Sequence, residues 1–568
     1  MTRPDLVALA APVVRTEADR RFAETYASYV TGDLARNPGA ATSLGIHEHD
    51  HRAADLSREA LLAGVEEDRR TLAALEAIDP ATLSPEIAFE REIALLGIRQ
   101  TLFDTEVHRT WERRAGALDE IADPVFLLLA RPFAPLSERL ETITARLAAS
   151  PAAIRSVRDR VGPRPVRLWL QLEIDGLGAA PELFDAVRAA ALETWRPDDP
   201  RTRRLERAIE GTLAAFGEHE SWLRSRLPDG VDDFALGSAD LETLIGLRAL
   251  DGLDGDAILA IGEERLAAEH AARAAAAREM PGSPSEAEAV DRVKSDHPAD
   301  FEAALDGYRD AMDRARAFLL ERDLCSLPAG ERLEVVPTPA YLRSSMPFAA
   351  YFQPAAFDTV RQGTYVVTPS VDGDPAAMRE HNRASISNTS IHEAYPGHHL
   401  QLSAALERPT LARIMSEAPE LVEGWGMYSE LMMREHGFDA SPAHRVALAT
   451  DAIWRACRII LDIRLHRGEI SVPEAIEMLI AETGFERPNA AAEVHRYTST
   501  PTYQLSYLLG RELILRLRAD EQRRLGAAFS LRAFHDALLW SGSIPVSFHR
   551  RLLAGEGGGP TLPGGPAA

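Results

Sequence analysis

Through about Arg322, apolar positions recur at intervals of three and four residues, the spacing that gathers side chains on one face of an α-helix. The pattern predicts helices over 17–33, 57–78, 86–103 and 136–148, and another from about 204 to 227. Asp256 is the expected cap of a long helix running to Met280, and Asp300 opens one that ends near Arg322. Pro80, Pro85, Pro132, Pro135, Pro151, Pro163 and Pro165 punctuate these segments. Asn37-Pro38-Gly39 reads as a loop and Met280 to Ser285 as an exposed turn. No fixed period repeats, which argues against a solenoid.

After Cys325 the rhythm shortens. Leu333 to Val336, Ala349 to Phe352 and Thr364 to Val367 each read as a strand, separated by Pro337, Pro339, Pro347, Pro354 and Gly363. A small sheet of about three strands is therefore expected just before the stretch richest in chemistry. Its edge could pair with an extended peptide, or the three strands could form a purely structural meander. The chain then returns to helix almost to its end. The Gly-, Pro- and Ala-rich residues 555–568 cannot build a core and are expected to be disordered. The expected architecture is mainly α, a large helical fold enclosing a cleft. A helical region over 1–325 would continue into a region over 326–554 that carries the sheet and the metal-binding helices.

Composition narrows the function. Hydrophobic residues make up 45% of the chain and charged residues 26%, so a core can form without covalent staples. The net charge of −24 argues against nucleic acid or an anionic membrane as the main partner. Two cysteines, Cys325 and Cys457, exclude a disulfide framework and a cysteine-based zinc finger. Any bound metal must therefore be held by His, Asp or Glu. No apolar run approaches 18 residues, and Leu6 to Val14 lacks the layout of a secretion signal. A cytoplasmic protein is expected, as either a monomer or a homodimer.

Residues 392–399, within Ile391-His392-Glu393-Ala394-Tyr395-Pro396-Gly397-His398-His399, hold three imidazoles and one carboxylate, in a chain with only 17 histidines. Imidazole is a common metal ligand, and a neighbouring carboxylate can serve as a general base. The usual H-E-x-x-H pattern places both histidines on one helical face, but here the fourth residue after His392 is Pro396. On a regular helix His398 would point about 120° away from His392, and His399 would sit about 10.5 Å further along the axis. Neither geometry closes a chelate. If Pro396 and Gly397 break the helix, the following histidine can swing back to His392. His398 is the expected ligand and His399 the competitor, with the other left to support the ligands from behind or to bind substrate.

A third ligand is expected from a later helix, and Glu423 to Glu430 offers the first candidates. Glu423 follows His398 by 25 residues, room for one helix to finish and a second to return antiparallel. Glu430 shares nearly the same face and could support a ligand by hydrogen bonding. The plainer alternative makes both acids a solvated face. A second cluster, Gly45 to His51, alternates His and acidic residues but reads as a polar loop ahead of a helix cap.

The segments His392 to Gln401 and Glu423 to Glu430 resemble the bacterial DUF885 family, which itself looks like a distant relative of the gluzincin metallopeptidases. Ala41 to His47 looks like that family's N-terminal segment, and Arg496, Tyr497 and Tyr507 fall in its C-terminal one. The resemblance spans nearly the whole chain. It departs at Pro501-Thr502-Tyr503, where the family often has Pro-Gly-Gln, a difference that bears on substrate preference. The resemblance implies a one-zinc hydrolase of peptide or peptide-like amide bonds, with His392, His398 and Glu423 on the metal. Glu393 would deprotonate the attacking water. An oxyanion donor is then needed, for which Tyr507 is the first candidate and Tyr497 the second. Arg496 could bind a substrate carboxylate, and His399 and Tyr503 are further substrate-binding candidates. The rival readings are a hydrolase of non-peptide amides or lactams at the same site, and a non-catalytic helical scaffold stabilised by metal. Glu393 argues against the scaffold, which would need no base there.

Overall fold

The structure is a computed structural model and describes residues 4–339, 343, 349–369 and 377–563. It is mainly helical, with one small sheet. Local chemistry explains most helix starts. Thr16 and Asp19 exchange hydrogen bonds across the first turn of helix Glu17–Arg36, a capping box. Asp254, two residues earlier than expected, accepts from the Ala257 amide at the head of helix Gly255–Glu279.

Two proline expectations are corrected. Pro38 does not sit in a loop. It occupies the first turn of helix Pro38–Leu44, where its missing N–H costs nothing. Pro151 does not end its helix, which runs from Leu136 to Arg160. The carbonyl that Pro151 leaves unpaired, that of Leu147, accepts instead from the Thr212 hydroxyl at 3.0 Å.

The three expected strands form one sheet, with β1 (Arg332–Pro337) parallel to β3 (Gln362–Val367) and β2 (Ala349–Phe352) antiparallel to it. The order β1-β3-β2 leaves β2 at an edge. Tyr365 of β3 is fully buried, its ring edge-on to Tyr308 of helix Phe301–Glu321. That helix packs on the helix carrying His392, which is how the sheet is fixed beside it.

The core ignores the boundary at 325. One buried cluster joins Ile258, Leu305 and Leu319 to Val335, Trp425 and Leu509. A second joins Phe22, Phe89 and Ile93 to Leu411, Ile544 and Phe548. The tail is likewise not free through 563: the Thr561 amide donates to Ser541 and Glu556 pairs with Arg551, so residues 555–563 are tied down. Residues 564–568 lie outside the described part. Among the described residues no helix is long and apolar enough to cross a membrane.

Candidate metal centre

Asn382 caps helix Arg383–Glu393 by accepting from the Ser385 amide, and the helix stops at Glu393. Ala394 leaves helical geometry (φ −108°, ψ −92°), a cis Tyr395–Pro396 bond follows, and helix His398–Ala405 starts afresh. The break is locked from both sides. The Gly397 amide donates to the Ile391 carbonyl at 3.0 Å, and the Trp425 indole N–H donates to the Pro396 carbonyl at 2.7 Å. Only glycine fits at 397, where a Cβ would stand 1.8 Å from the His392 carbonyl oxygen. The consequence is the fold-back: the His392 and His398 rings come to 4.7 Å between centroids, at 88° to each other.

Glu423 reaches the same point from helix Pro419–Glu435. Its Oε2 lies 3.7 Å from His392 Nε2 and 3.4 Å from His398 Nε2. Both separations exceed the usual N–H···O range of about 2.7–3.2 Å. They approach the edge of a tetrahedron, about 3.3–3.4 Å, for ligands about 2.0–2.1 Å from one ion. Glu393 borders the same point, since its carboxylate and the two imidazoles offer ligand atoms all within 4.8 Å of one another. The two acids differ in their surroundings. Both are partly buried and line the cavity, but Glu423 is held in place because its Oε1 accepts from the Tyr503 hydroxyl at 2.9 Å, whereas the Glu393 carboxylate has no hydrogen-bond partner among the described residues. Glu423 therefore fits a ligand, and Glu393 fits a base beside it.

A buried network supports His392. Its Nδ1 donates to Glu430 Oε1 at 2.7 Å, so that the ring, once neutral, would carry its lone pair on Nε2, on the side of Glu423. Glu430 Oε2 in turn accepts from Asn388 Nδ2, which also donates to Asp451, both at 2.8 Å. Burial disfavours a charged His392, but Glu423 and Glu430 outweigh it and push the imidazole up to about 10. Burial likewise pushes the Glu423 carboxyl up, and the two histidines outweigh it, holding the group well below the ordinary carboxylate range. His398 Nδ1 is buried with no partner among the described residues. Gly426 makes room for the cluster, for a Cβ there would stand 2.6 Å from the His392 ring.

The remaining expected residues divide. Tyr507 lines a cavity of about 1000 Å³ together with His392, Glu393, His398 and Glu423. Tyr497 does not: its hydroxyl donates to Glu493 and accepts from Arg458, inside a separate buried cluster. Arg496 is paired with Glu493 one helical turn away and does not line the cavity. Tyr503 serves Glu423 rather than the cavity wall. His399 is fully buried and has no nitrogen to offer a substrate, because Nε2 donates to Glu331 at 2.7 Å and Nδ1 accepts from Tyr351 at 3.0 Å. Thr502, at the position where the chain departs from the family pattern, holds a left-handed φ of 65°, with its amide bound to buried Asp462 at 2.8 Å.

The Gly45 to His51 cluster is a clamp rather than a loose loop. His47 stacks on Phe133 at 3.7 Å, its Nδ1 is 2.6 Å from Asp50, and its Nε2 is 2.8 Å from Asp358. Burial opposes its charge, but hydrogen bonds to Asp358 and Asp50 prevail and raise the imidazole to about 9.

Sequence reasoning missed Arg458, which lines the cavity from helix Pro442–Arg467. The available signal was an arginine set among Cys457, Ile459, Ile460 and Leu461, all buried.

The chain belongs to the family described as bacterial protein of unknown function (DUF885), whose model matches residues 38–553. Two solved structures have a similar fold. One is titled a "putative lipoprotein of unknown function" from Shewanella oneidensis, with 21% identity, a TM-score of 0.77 and coverage of 94% of this chain and 99% of that one. The other is titled a "putative lipoprotein" from Colwellia psychrerythraea, with 18% identity, a TM-score of 0.81 and coverage of 95% and 98%. No curated protein matches the chain.

Proposed function

From the break-and-return geometry of this DUF885 member, we propose a zinc-dependent hydrolase of peptide or peptide-like amide bonds, allied in chemistry to the gluzincin metallopeptidases. His392, His398 and Glu423 would hold the ion. The observation that carries this reading is the position of Glu423 Oε2, too far from either Nε2 for a good hydrogen bond yet spaced as a co-ligand. Zinc in such a site acidifies a bound water and polarises a carbonyl.

The chain's own residues supply the rest. Glu393 takes the proton of the attacking water and returns it to the departing amine. Tyr507 donates its hydroxyl to the carbonyl oxygen as negative charge builds there. Burial, reinforced by the Glu423 charge, pushes the Tyr507 hydroxyl well above its usual range and keeps its proton in place. Tyr503 fixes Glu423, while Glu430, Asn388 and Asp451 fix His392.

Metal analysis of the purified protein together with a peptide panel tests the reading. One zinc per chain is expected, with amide hydrolysis that a chelator abolishes and added zinc restores. Full activity after complete metal removal would overturn it.

A further inference from the structure

Each of the other arginines, and the lysine, that line the cavity pairs with an acid of the same wall, as Arg273 does with Glu286 at 2.9 Å and Arg455 with Asp451 at 3.4 Å. Arg458 differs. Its counter-ion, Glu493, is not part of the cavity wall, and that one carboxylate also serves Arg496. Two guanidinium groups thus share a single negative charge, leaving one positive charge unmatched.

Arg458 is also held rigidly. It is only 4% exposed, with Nε donating to the Tyr497 hydroxyl at 3.0 Å and Nη2 donating to Glu493 at 2.8 Å. Its guanidinium lies 4.1 Å from the Trp454 ring and 4.6 Å from the Tyr507 ring. Nη1 carries no hydrogen bond among the described residues, although the side chain lines the cavity. A fork so fixed loses little freedom when it meets a planar anion. Tyr507 packs against this fork and edge-on to Tyr503, which is bonded to Glu423.

We infer that Arg458 receives the substrate's free carboxylate, and that the hydrolase releases the C-terminal residue of a peptide or an N-acyl amino acid. The inference rests on the hydrolase reading above. Water adds to the carbonyl carbon next to the carboxylate-bearing residue and the C–N bond breaks. The amine leaves with the proton held by Glu393, and Arg458 only positions the anion. The role that sequence assigned to Arg496 passes to Arg458, which shares its counter-ion but faces the cavity.

The test compares an N-acyl dipeptide bearing a free C-terminal carboxylate with its C-terminal amide, on the zinc-loaded protein. Wild type should favour the acid by about 10- to 100-fold in kcat/KM, the range of a charge-assisted hydrogen bond. Arg458→Gln should bring that ratio close to one, and Arg458→Lys should restore part of it. Calorimetric binding of an N-acetyl amino acid and its amide to the Glu393→Gln protein supplies a readout independent of turnover. Equal rates on acid and amide in wild type, or a preference that survives Arg458→Gln, would overturn the assignment. Arg458-dependent binding of the acid with no cleavage of either substrate would support the carboxylate site while sinking the hydrolase reading. Neither binding nor cleavage would end both.

Discussion

Gly510 meets the helix of Glu423 backbone to backbone: a Cβ on Gly510 would lie 2.0 Å from the Glu420 carbonyl oxygen and 2.7 Å from the Gly424 Cα. This contact between helices Pro419–Glu435 and Ser506–Leu525 sets Glu423 beside Tyr503 and Tyr507. Gly510→Ala should force the helices apart. The expected cost is about 1–3 kcal/mol, as for other overpacked cores, read as a lower denaturant midpoint together with reduced zinc affinity. Unchanged metal affinity would mean that the crossing does not position Glu423.

Glu393→Gln should keep one zinc per chain and lose about 10²- to 10⁴-fold in turnover, the usual contribution of a general base. His398→Ala should lose the metal, whereas His399→Gln should keep it and lower the melting temperature instead. Elemental analysis and thermal melts of the three variants separate these roles. Retention of zinc by His398→Ala would remove the proposed ligand set.

Glu430→Gln weakens the acceptor that orients His392 Nδ1. Zinc affinity should fall by about 10- to 100-fold, as for other supporting partners of metal-bound histidines. Competition with a chromogenic chelator measures it, and wild-type affinity in the variant would count against the network.

His47 should make stability depend on pH. Its folded value of about 9 lies above its ordinary 6.5, so the protonated clamp favours the folded state. That contribution is complete below about pH 6.5 and is lost as pH rises through about 9. Its size is on the order of 2–3 kcal/mol. Urea midpoints at pH 6 and pH 9.5 should fall more steeply for wild type than for His47→Gln. Parallel pH profiles for the two proteins would refute the clamp.

The helix break was legible because proline and glycine fell between two histidines that a shared metal would bring together. The return of Glu423 was legible because 25 residues suit a turn and a second helix. Tertiary partners were not. Tyr497 and Tyr507 look alike in sequence, yet Glu493 and Arg458 occupy the hydroxyl of the first, while the second lines the cavity. Arg496 stood out beside a tyrosine, but the arginine in the cavity is Arg458, on a different helix. Pro151 reads locally as a stop, and the partner of the carbonyl it frees, Thr212, comes from a helix about sixty residues later.

His398 and His399 are adjacent, and their rings meet different partners. The first faces Glu423, and the second is pinned to Glu331 and to Tyr351 of the edge strand that lines the cavity. The ring that braces the cavity wall and the ring that faces Glu423 therefore sit on adjacent residues. A molecule that presses on Tyr351 would press, through the His399 ring, on the same turn of helix that presents His398 to Glu423.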